Sequence, residues 1–546
     1  MMMKTRREIA DQLMTACTAA GTTHIFGMPG GGSNLDVAGA AVAHGLEFVL
    51  VHTETAGAIM ASVMGELTGA PSMCIATRGP GAASAVNGVA TALVDRQPML
   101  LVTDCVAENE RDRVSHQRID QQALFAPISL ASIVLNGTDP EAASAAVALT
   151  GGFPPGPVHI DLDPSAAGTP VPARVAPTRT PIEPVVQLIQ AARRPVIIAG
   201  TGIAVSQPEA RDRLTAAINE IGRTHHVPVL CTYKARGVVP DDAPYNAGWV
   251  TGSTIEAAVL NDADLIIGIG FDPVEYLPTA WPYSAPVVVM GSWPLDDGSY
   301  TRSTYLGDSV QAESIGDLNE MVSVAADAIT SEWAQGDGQN YRQAALNRLL
   351  TAASPDPQAG LTPQQVVTSA SAAAPRGAIA TVDAGAHMLV SMPLWNVDEP
   401  EQLLISSSYA TMGFALPAAI AASLARPGTP VVCFTGDGGL GMVLNELETV
   451  ARLGLPIIVV VFNDATLSLI AAKQHPVNHG GSLAVDFTRT DFASVARGCG
   501  MKAETIDDVP TYDEALRAAF ASGQPTLLDV RVDRSVYGSI MDVLRG

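Results

Sequence analysis

Positive charge is scarce along this chain of 546 residues. Its 31 Lys and Arg stand against 55 Asp and Glu, a net charge of −24. Binding to nucleic acid or to an anionic membrane needs basic patches, so the balance argues against both. Cysteine is also sparse. Cys17, Cys74, Cys105, Cys231, Cys433 and Cys499 are scattered and form no Cys-x-x-Cys pair. Most lie in apolar runs, so the expectation is buried free thiols in a reducing compartment. No apolar run reaches the length of a membrane span. Met1-Met2-Met3-Lys4-Thr5-Arg6-Arg7 leads into a helical pattern without an apolar signal core, which predicts a soluble, cytoplasmic protein. Charged residues are only 16% of the chain and hydrophobic ones 47%. Large cores can therefore be buried, and the length suits about three domains.

What is present is alternation. An amphipathic helix over residues 4–20 is followed by short strands at 24–27, 47–54, 72–77 and 98–103, with glycine turns at 28–33 and 78–81. Strand alternating with helix predicts a doubly wound parallel sheet. A stretch rich in Pro, Thr and Ala between Ala166 and Val185 reads as a linker. A second α/β unit opens at Pro195, with strands at 195–202, 227–231, 264–270 and 286–290. A break is expected near Ala353-Ser354-Pro355-Asp356-Pro357, and a third α/β unit follows. The predicted fold is α/β, with three doubly wound parallel-sheet domains over 1–168, 185–340 and 360–546. The Gly200-Thr201-Gly202 turn is too weak a signal to assign a nucleotide to the middle domain.

The densest signal is Gly436-Asp437-Gly438-Gly439 with its continuation to Asn463-Asp464-Ala465-Thr466. Pro430-Val431-Val432-Cys433-Phe434 precedes it as a strand, 445–452 follows as a helix, and 455–462 is an uninterrupted β-branched strand. Asp437 and Asp464 thus fall just past the carboxyl ends of two strands, where open α/β sheets bind ligands. Glycines let the backbone approach a diphosphate, and two carboxylates with a carbonyl suit Mg²⁺ that also bridges phosphate oxygens. Asp464 lies 27 positions after Asp437. This arrangement resembles the signature of thiamine-diphosphate-dependent enzymes, in the acetohydroxyacid synthase and 2-oxo acid decarboxylase group. The resemblance implies a pyrimidine-binding, a central Rossmann-like and a diphosphate-binding domain. It implies thiamine diphosphate and Mg²⁺ as cofactors, with Asp437, Asp464 and the carbonyl of Thr466 on the metal. Gly436, Gly438 and Gly439 would border the diphosphate. The pair is usually Asn-Asn, so Asp464 adds a negative charge.

The same resemblance gives roles elsewhere. Residues 52–61 resemble the strand end and Ala-rich helix that carry a glutamate against the cofactor's aminopyrimidine, so Glu54 is the expected catalytic carboxylate. Thr77-Arg78-Gly79-Pro80-Gly81-Ala82 resembles the turn bordering the cofactor. Arg78 stands where many relatives have a small polar residue and could hold a substrate carboxylate. His116-Gln117 matches an active-site glutamine, making Gln117 a contact for the reaction intermediate. Gly385, Ala386 and His387 match a turn that touches the diphosphate. Residues 408–419 resemble the run whose large apolar residue props the bent cofactor, here Met412. Central domains of this superfamily hold FAD in some members and ADP in others; neither is favoured here.

The resemblance implies a 2-oxo acid as substrate, decarboxylated to an enamine that either takes a proton or attacks an aldehyde or ketone acceptor. The Gln-Trp-Glu that shapes the synthases' acceptor site is missing; Ala472-Lys473-Gln474 stands there. The first glycine turn, Gly30-Gly31-Gly32, has neither the acid of pyruvate decarboxylases nor the histidine of benzaldehyde lyase. The expectation is an acetolactate-synthase-like carboligase. The alternatives are a simple decarboxylase of the benzoylformate type and a catalytically silent regulatory subunit. Because Glu54 and the two aspartates fall in different domains, the family arrangement implies a homodimer or homotetramer with active sites between subunits.

Overall fold

The computed structural model describes residues 4–272, 274, 281–296, 306, 309–352, 359–474 and 484–545. The break expected at Ala353-Ser354-Pro355-Asp356-Pro357 lies outside the described residues. Three parallel six-stranded sheets are built in chain order. The first comprises β1 (His24–Gly27), β2 (Glu47–Leu50), β3 (Ser72–Ala76), β4 (Met99–Thr103), β5 (Ala131–Leu135) and β6 (Pro157–Leu162), in the order β2-β1-β3-β4-β6-β5. The second comprises β7 (Pro195–Ala199), β8 (Val229–Cys231), β9 (Asn246–Trp249), β10 (Leu265–Ile269), β11 (Val287–Gly291) and β12 (Val310–Ile315), in the order β12-β11-β10-β7-β8-β9. The third comprises β13 (Ile379–Val382), β14 (Leu403–Ile405), β15 (Val431–Gly436), β16 (Ile457–Asn463), β17 (Lys502–Ile506) and β18 (Thr526–Arg531), in the order β14-β13-β15-β16-β18-β17. The orders change direction between β1 and β3, between β7 and β10, and between β13 and β15, and the first and third turn back once more at their last pair, β6-β5 and β18-β17. Such switch points open crevices at the carboxyl ends of the strands.

Two compact units emerge. One takes Met1–Ala176 with Ile420–Pro427 and Val443–Leu453, and so holds the first sheet. The other takes Pro177–Ala419, Gly428–Met442 and Gly454–Gly546, and so holds the second and third. The central strands β3, β4, β7, β10 and β16 are buried along their whole length. That is why their residues are almost uniformly apolar or β-branched. No described helix is long and apolar enough to cross a membrane. None of the six cysteines is joined in a disulfide; five are buried and Cys499 is partly so.

Four sequence expectations need adjustment. β2 stops at Leu50, and Glu54 is instead the first residue of the helix Glu54–Thr68, capped by the Thr53 hydroxyl. A capping threonine with a carboxylate in the first turn favours a helix start over a longer strand. Asp437-Gly438-Gly439 is not a loop before a distant helix; it begins the short helix Asp437–Met442. Gly200-Thr201-Gly202 likewise leads into the helix Thr201–Ala204. At that switch point the backbone of Gly270 fills the crevice: Gly202 N–H donates to Gly270 O at 2.7 Å, and a side chain on Gly200 would strike the same carbonyl. Finally, the linker is shorter than expected, since the helix Glu183–Ala191 begins before Val185.

Candidate active site

Three neighbouring strands of the third sheet, β13, β15 and β16, are each followed by an aspartate: Asp383, Asp437 and Asp464. Asp437 is locked by two backbone N–H donors, Gly438 at 2.7 Å and Ala465 at 2.6 Å. Asp464 accepts from Thr466 N at 3.0 Å and from the Ser468 hydroxyl at 2.6 Å. Ala465, between them, has φ 60°, a left-handed conformation that costs an alanine free energy and persists only where neighbours enforce it. Burial pushes the Asp464 carboxyl up to about 7, and the nearby charge of Asp437 adds to the shift. Burial also raises Asp437. A buried carboxylate raised by the charge of a half-buried one beside it is what a divalent cation would relieve. The carbonyl of Thr466 already accepts from Ser468 N at 2.9 Å, leaving one lone pair for a ligand. Among the described residues no three His, Cys, Asp or Glu side chains form a metal cage. A cation here would need oxygens from its partner molecule, which is the habit of Mg²⁺ with phosphates.

Asp383 is the residue that sequence reasoning passed over. It is fully buried. One oxygen accepts from Ala384 N at 2.9 Å, Gly413 N at 2.9 Å and Phe414 N at 3.3 Å. The other accepts from the Thr435 hydroxyl at 3.0 Å. It thereby ties together the 384–387 turn, the Met412–Gly413 turn and the end of β15. A side chain on Gly439 would collide with it. Desolvation raises its carboxyl to about 6. The signal that found Asp437, a carboxylate at a strand end, was present here too, without a flanking glycine motif.

These turns enclose a cavity of about 340 Å³ in the second unit. Gly385, Ala386, His387, Met412, Gly436, Asp437, Gly438, Gly439, Asp464 and Thr466 all line it, so the structure brings the predicted diphosphate and metal set together. Tyr537 and Leu544 of the final helix close one side, and Lys473 reaches the wall. His387 stacks on Phe462, with ring centroids 5.2 Å apart, and its buried Nε2 has no hydrogen-bond partner. Burial pushes this imidazole down to about 3. An orphaned buried ring nitrogen is costly unless a ligand satisfies it. A side chain on Gly438 would lie 2.8 Å from Leu467 and 3.4 Å from Met412. The glycine keeps that space open. By donor chemistry, by the orphaned nitrogen and by the glycine-cleared floor, the cavity fits a magnesium diphosphate.

Glu54, Arg78 and Gln117 are not in this cavity; they belong to the first unit. Glu54 is 8% exposed, and no described residue donates a hydrogen bond to its carboxylate. Its backbone is held from the preceding strand end: Glu446, fully buried, accepts from His52 N at 2.9 Å and Thr53 N at 3.2 Å. Nothing in the sequence marked Glu446, which lies some four hundred positions away. A side chain on Gly81 would lie 2.8 Å from Glu54 Oε1. So the glycine turn predicted to border the cofactor does touch the glutamate. Arg78 Nη1 stands 3.7 Å from buried Asp104, which also accepts from Ser33 N at 3.0 Å and its hydroxyl at 2.7 Å. Gln117 has φ 56° and packs its backbone against Gly79. A buried carboxylate with no partner, set against a bare glycine, suits a flat heteroaromatic ring that carries its own donor.

Comparison with known proteins agrees with this geometry. Residues 7–124 match the thiamine pyrophosphate enzyme N-terminal TPP binding domain, residues 182–292 its central domain and residues 383–530 its C-terminal TPP binding domain. The chain is 28% identical over 548 residues to an acetolactate synthase of Bacillus subtilis, covering 96% of this chain and 93% of that protein. It is 28% identical over 562 residues to a probable acetolactate synthase large subunit of Methanocaldococcus jannaschii, covering 96% and 92%. A solved structure, the thiamine diphosphate-dependent 4-hydroxybenzoylformate decarboxylase of Rhodococcus jostii RHA1, superimposes with a TM-score of 0.80 over 97% of this chain and 99% of that one, at 20% identity.

Proposed function

Since the chain belongs to the thiamine-diphosphate enzymes of the acetohydroxyacid synthase and 2-oxo acid decarboxylase group, and so performs carbon–carbon bond chemistry with that cofactor, we propose that it decarboxylates a 2-oxo acid and joins the remaining fragment to a second carbonyl. When bound, thiamine diphosphate supplies the electron sink that makes loss of CO₂ from a 2-oxo acid feasible. Asp437, Asp464 and the Thr466 carbonyl would hold Mg²⁺, and His387 would meet the diphosphate through Nε2. Gly436, Gly438 and Gly439 clear the space for it, with Gly385 and Ala386 opposite. Met412 would prop the bend of the cofactor. Glu54 would hold a proton at the aminopyrimidine ring, a task suited to a buried carboxylate free of competing donors. Arg78 would take the substrate carboxylate, and Gln117 would meet the reacting carbon group.

The observation that carries this reading is the joint presence of the lined Asp437–Asp464 cavity and the unpartnered Glu54. Ligation, rather than release of an aldehyde, is supported by the relatives named acetolactate synthase along nearly the full chain. The proposal includes an aldehyde or ketone acceptor and a cytoplasmic location. It also includes a homodimer or homotetramer in which Glu54 of one subunit serves the cavity of another. The test is product analysis: 2-oxo acids are supplied with thiamine diphosphate and Mg²⁺, with and without an added aldehyde. A ligated 2-hydroxyketone product is expected. An aldehyde as sole product from every acid consumed would overturn ligation, and inertness toward all of them would overturn the whole reading.

A further inference from the structure

A second cavity, of about 490 Å³, lies within the first unit. Three arginines line it, Arg78, Arg111 and Arg118, together with Gln117. In a chain of net charge −24 such a gathering of positive charge stands out. The two acidic side chains on its wall are already engaged. Asp120 accepts from Ala123 N at 3.0 Å. Asp161 is buried and accepts from the Thr103 hydroxyl at 2.6 Å, Gln122 at 2.7 Å and Gln121 at 3.1 Å. Arg78 has buried Asp104 nearby, yet its buried Nε has no partner. Neither Arg111 nor Arg118 is paired with a carboxylate among the described residues; Arg118 donates to the Arg111 backbone carbonyl, which holds its guanidinium against that turn.

The cavity is tied to the proposed reaction centre by one turn. Gly79 faces Gln117 on the cavity side, where a side chain would lie 3.1 Å from the Gln117 Cβ. Two residues on, Gly81 faces Glu54. Gln121 fastens that turn, accepting from Gly79 N at 3.0 Å. Gln117 also sits in a left-handed conformation, the kind of local strain that collects at ligand contacts. Gln117 lines the same cavity as Arg111 and Arg118, so a molecule held there by Gln117 shares its space with both arginines.

Resting on the 2-oxo acid reading above, we propose that the substrate carries a second anionic group, so that this cavity selects 2-oxo dicarboxylates. Arg78 takes the carboxylate next to the carbonyl, and Arg111 and Arg118 take the one at the far end. Guanidinium forks match carboxylates in shape as well as charge, which makes them selective rather than merely attractive.

The test compares each acid with its own neutral analogue. The holoenzyme, loaded with thiamine diphosphate and Mg²⁺, is given 2-oxoglutarate and 2-oxoadipate, each against its terminal monoamide. At least about a tenfold advantage in kcat/KM is expected for one diacid over its amide, since a site built for charge penalises its absence. Arg111→Ala and Arg118→Ala should each lower that ratio, and the double variant should bring it close to parity. In the unaltered enzyme, raising ionic strength from about 0.05 M to about 0.5 M should shrink the ratio as well, because exposed charges are screened. Amides used as well as diacids would overturn the inference while leaving 2-oxo acid decarboxylation standing. So would a preference for diacids that survived the double variant. Failure to consume any 2-oxo acid, charged or neutral, would overturn both.

Discussion

Replacing Asp383 by alanine should disable the cofactor site without touching any residue proposed to meet the cofactor. The truncation strands three backbone N–H groups, those of Ala384, Gly413 and Phe414, and the Thr435 hydroxyl. All four sit around a side chain with no solvent exposure. An unsatisfied buried donor costs about 1–3 kcal/mol. Even if the hydroxyl turns to the Gly436 carbonyl, its second partner at 3.2 Å, three stranded N–H groups imply a loss of about 3 kcal/mol or more. That is a large share of the roughly 5–15 kcal/mol available to a folded domain. Asp383→Asn is the control. Its remaining oxygen can serve the three N–H groups, and its amide can donate to Thr435, so about 1 kcal/mol is expected. It also removes a carboxyl that burial holds near 6. A raised carboxyl favours the protonated fold, so the stability it contributes is full below the ordinary carboxylate range and is lost as pH rises through about 6. The asparagine variant should lack that decline. The assay is thermal unfolding across pH, with calorimetric titration of thiamine diphosphate on each variant. An alanine variant as stable and as avid as the parent would refute the reasoning.

Gly81→Ala pushes a methyl group within 2.8 Å of Glu54 Oε1. The carboxylate and the Thr77 methyl, also 2.8 Å away, must both give, so a stability loss of about 1 kcal/mol is expected, while turnover falls about tenfold or more as the catalytic group is displaced; a crystal structure of the variant would show the shift. Gln121→Met removes the acceptor for Gly79 N and the donor to Thr103, Asp104 and Asp161. A loss of about 2 kcal/mol in denaturant unfolding is expected, with kcat reduced through the loosened turn. Protons compete with metal at Asp464, whose carboxyl stands near 7. Apparent Mg²⁺ affinity should weaken by about tenfold per pH unit below about 7, and Asp464→Asn should flatten that dependence. In metal-free protein the sign is opposite: the stability due to protonated Asp464 is full at low pH and is lost as pH rises through about 7.

The central strands were legible because burial on both faces leaves an unmistakable apolar run, as in Ile457–Asn463. The strands that were not foreseen are mostly at sheet edges: β5, β9, β12, β14 and β17. β17 alternates exposed and half-buried residues, and β14 has only three; their neighbours' hydrogen bonds, not their own composition, make them strands. β6 was hidden for another reason. It is interior but carries His159 and Asp161, whose polarity breaks the run and is satisfied by Thr103, Ser132, Gln121 and Gln122. The diphosphate end of the site was readable because glycine and aspartate sit together along the chain. Asp383 and Glu446 were not, because most of what they hold lies 30 to 394 positions away in sequence. Tyr537 and Leu544 reach the cavity only because the final helix folds back on the third sheet's unit.

The most direct measurement is a calorimetric titration of thiamine diphosphate into the metal-stripped protein, with and without Mg²⁺, on the parent and on Asp437→Ala. Binding is expected at one site per chain, dependent on Mg²⁺ and lost in the variant. Equally tight binding in the presence of a chelator, or in Asp437→Ala, would contradict the claim that the paired aspartates seat the cofactor through a divalent cation.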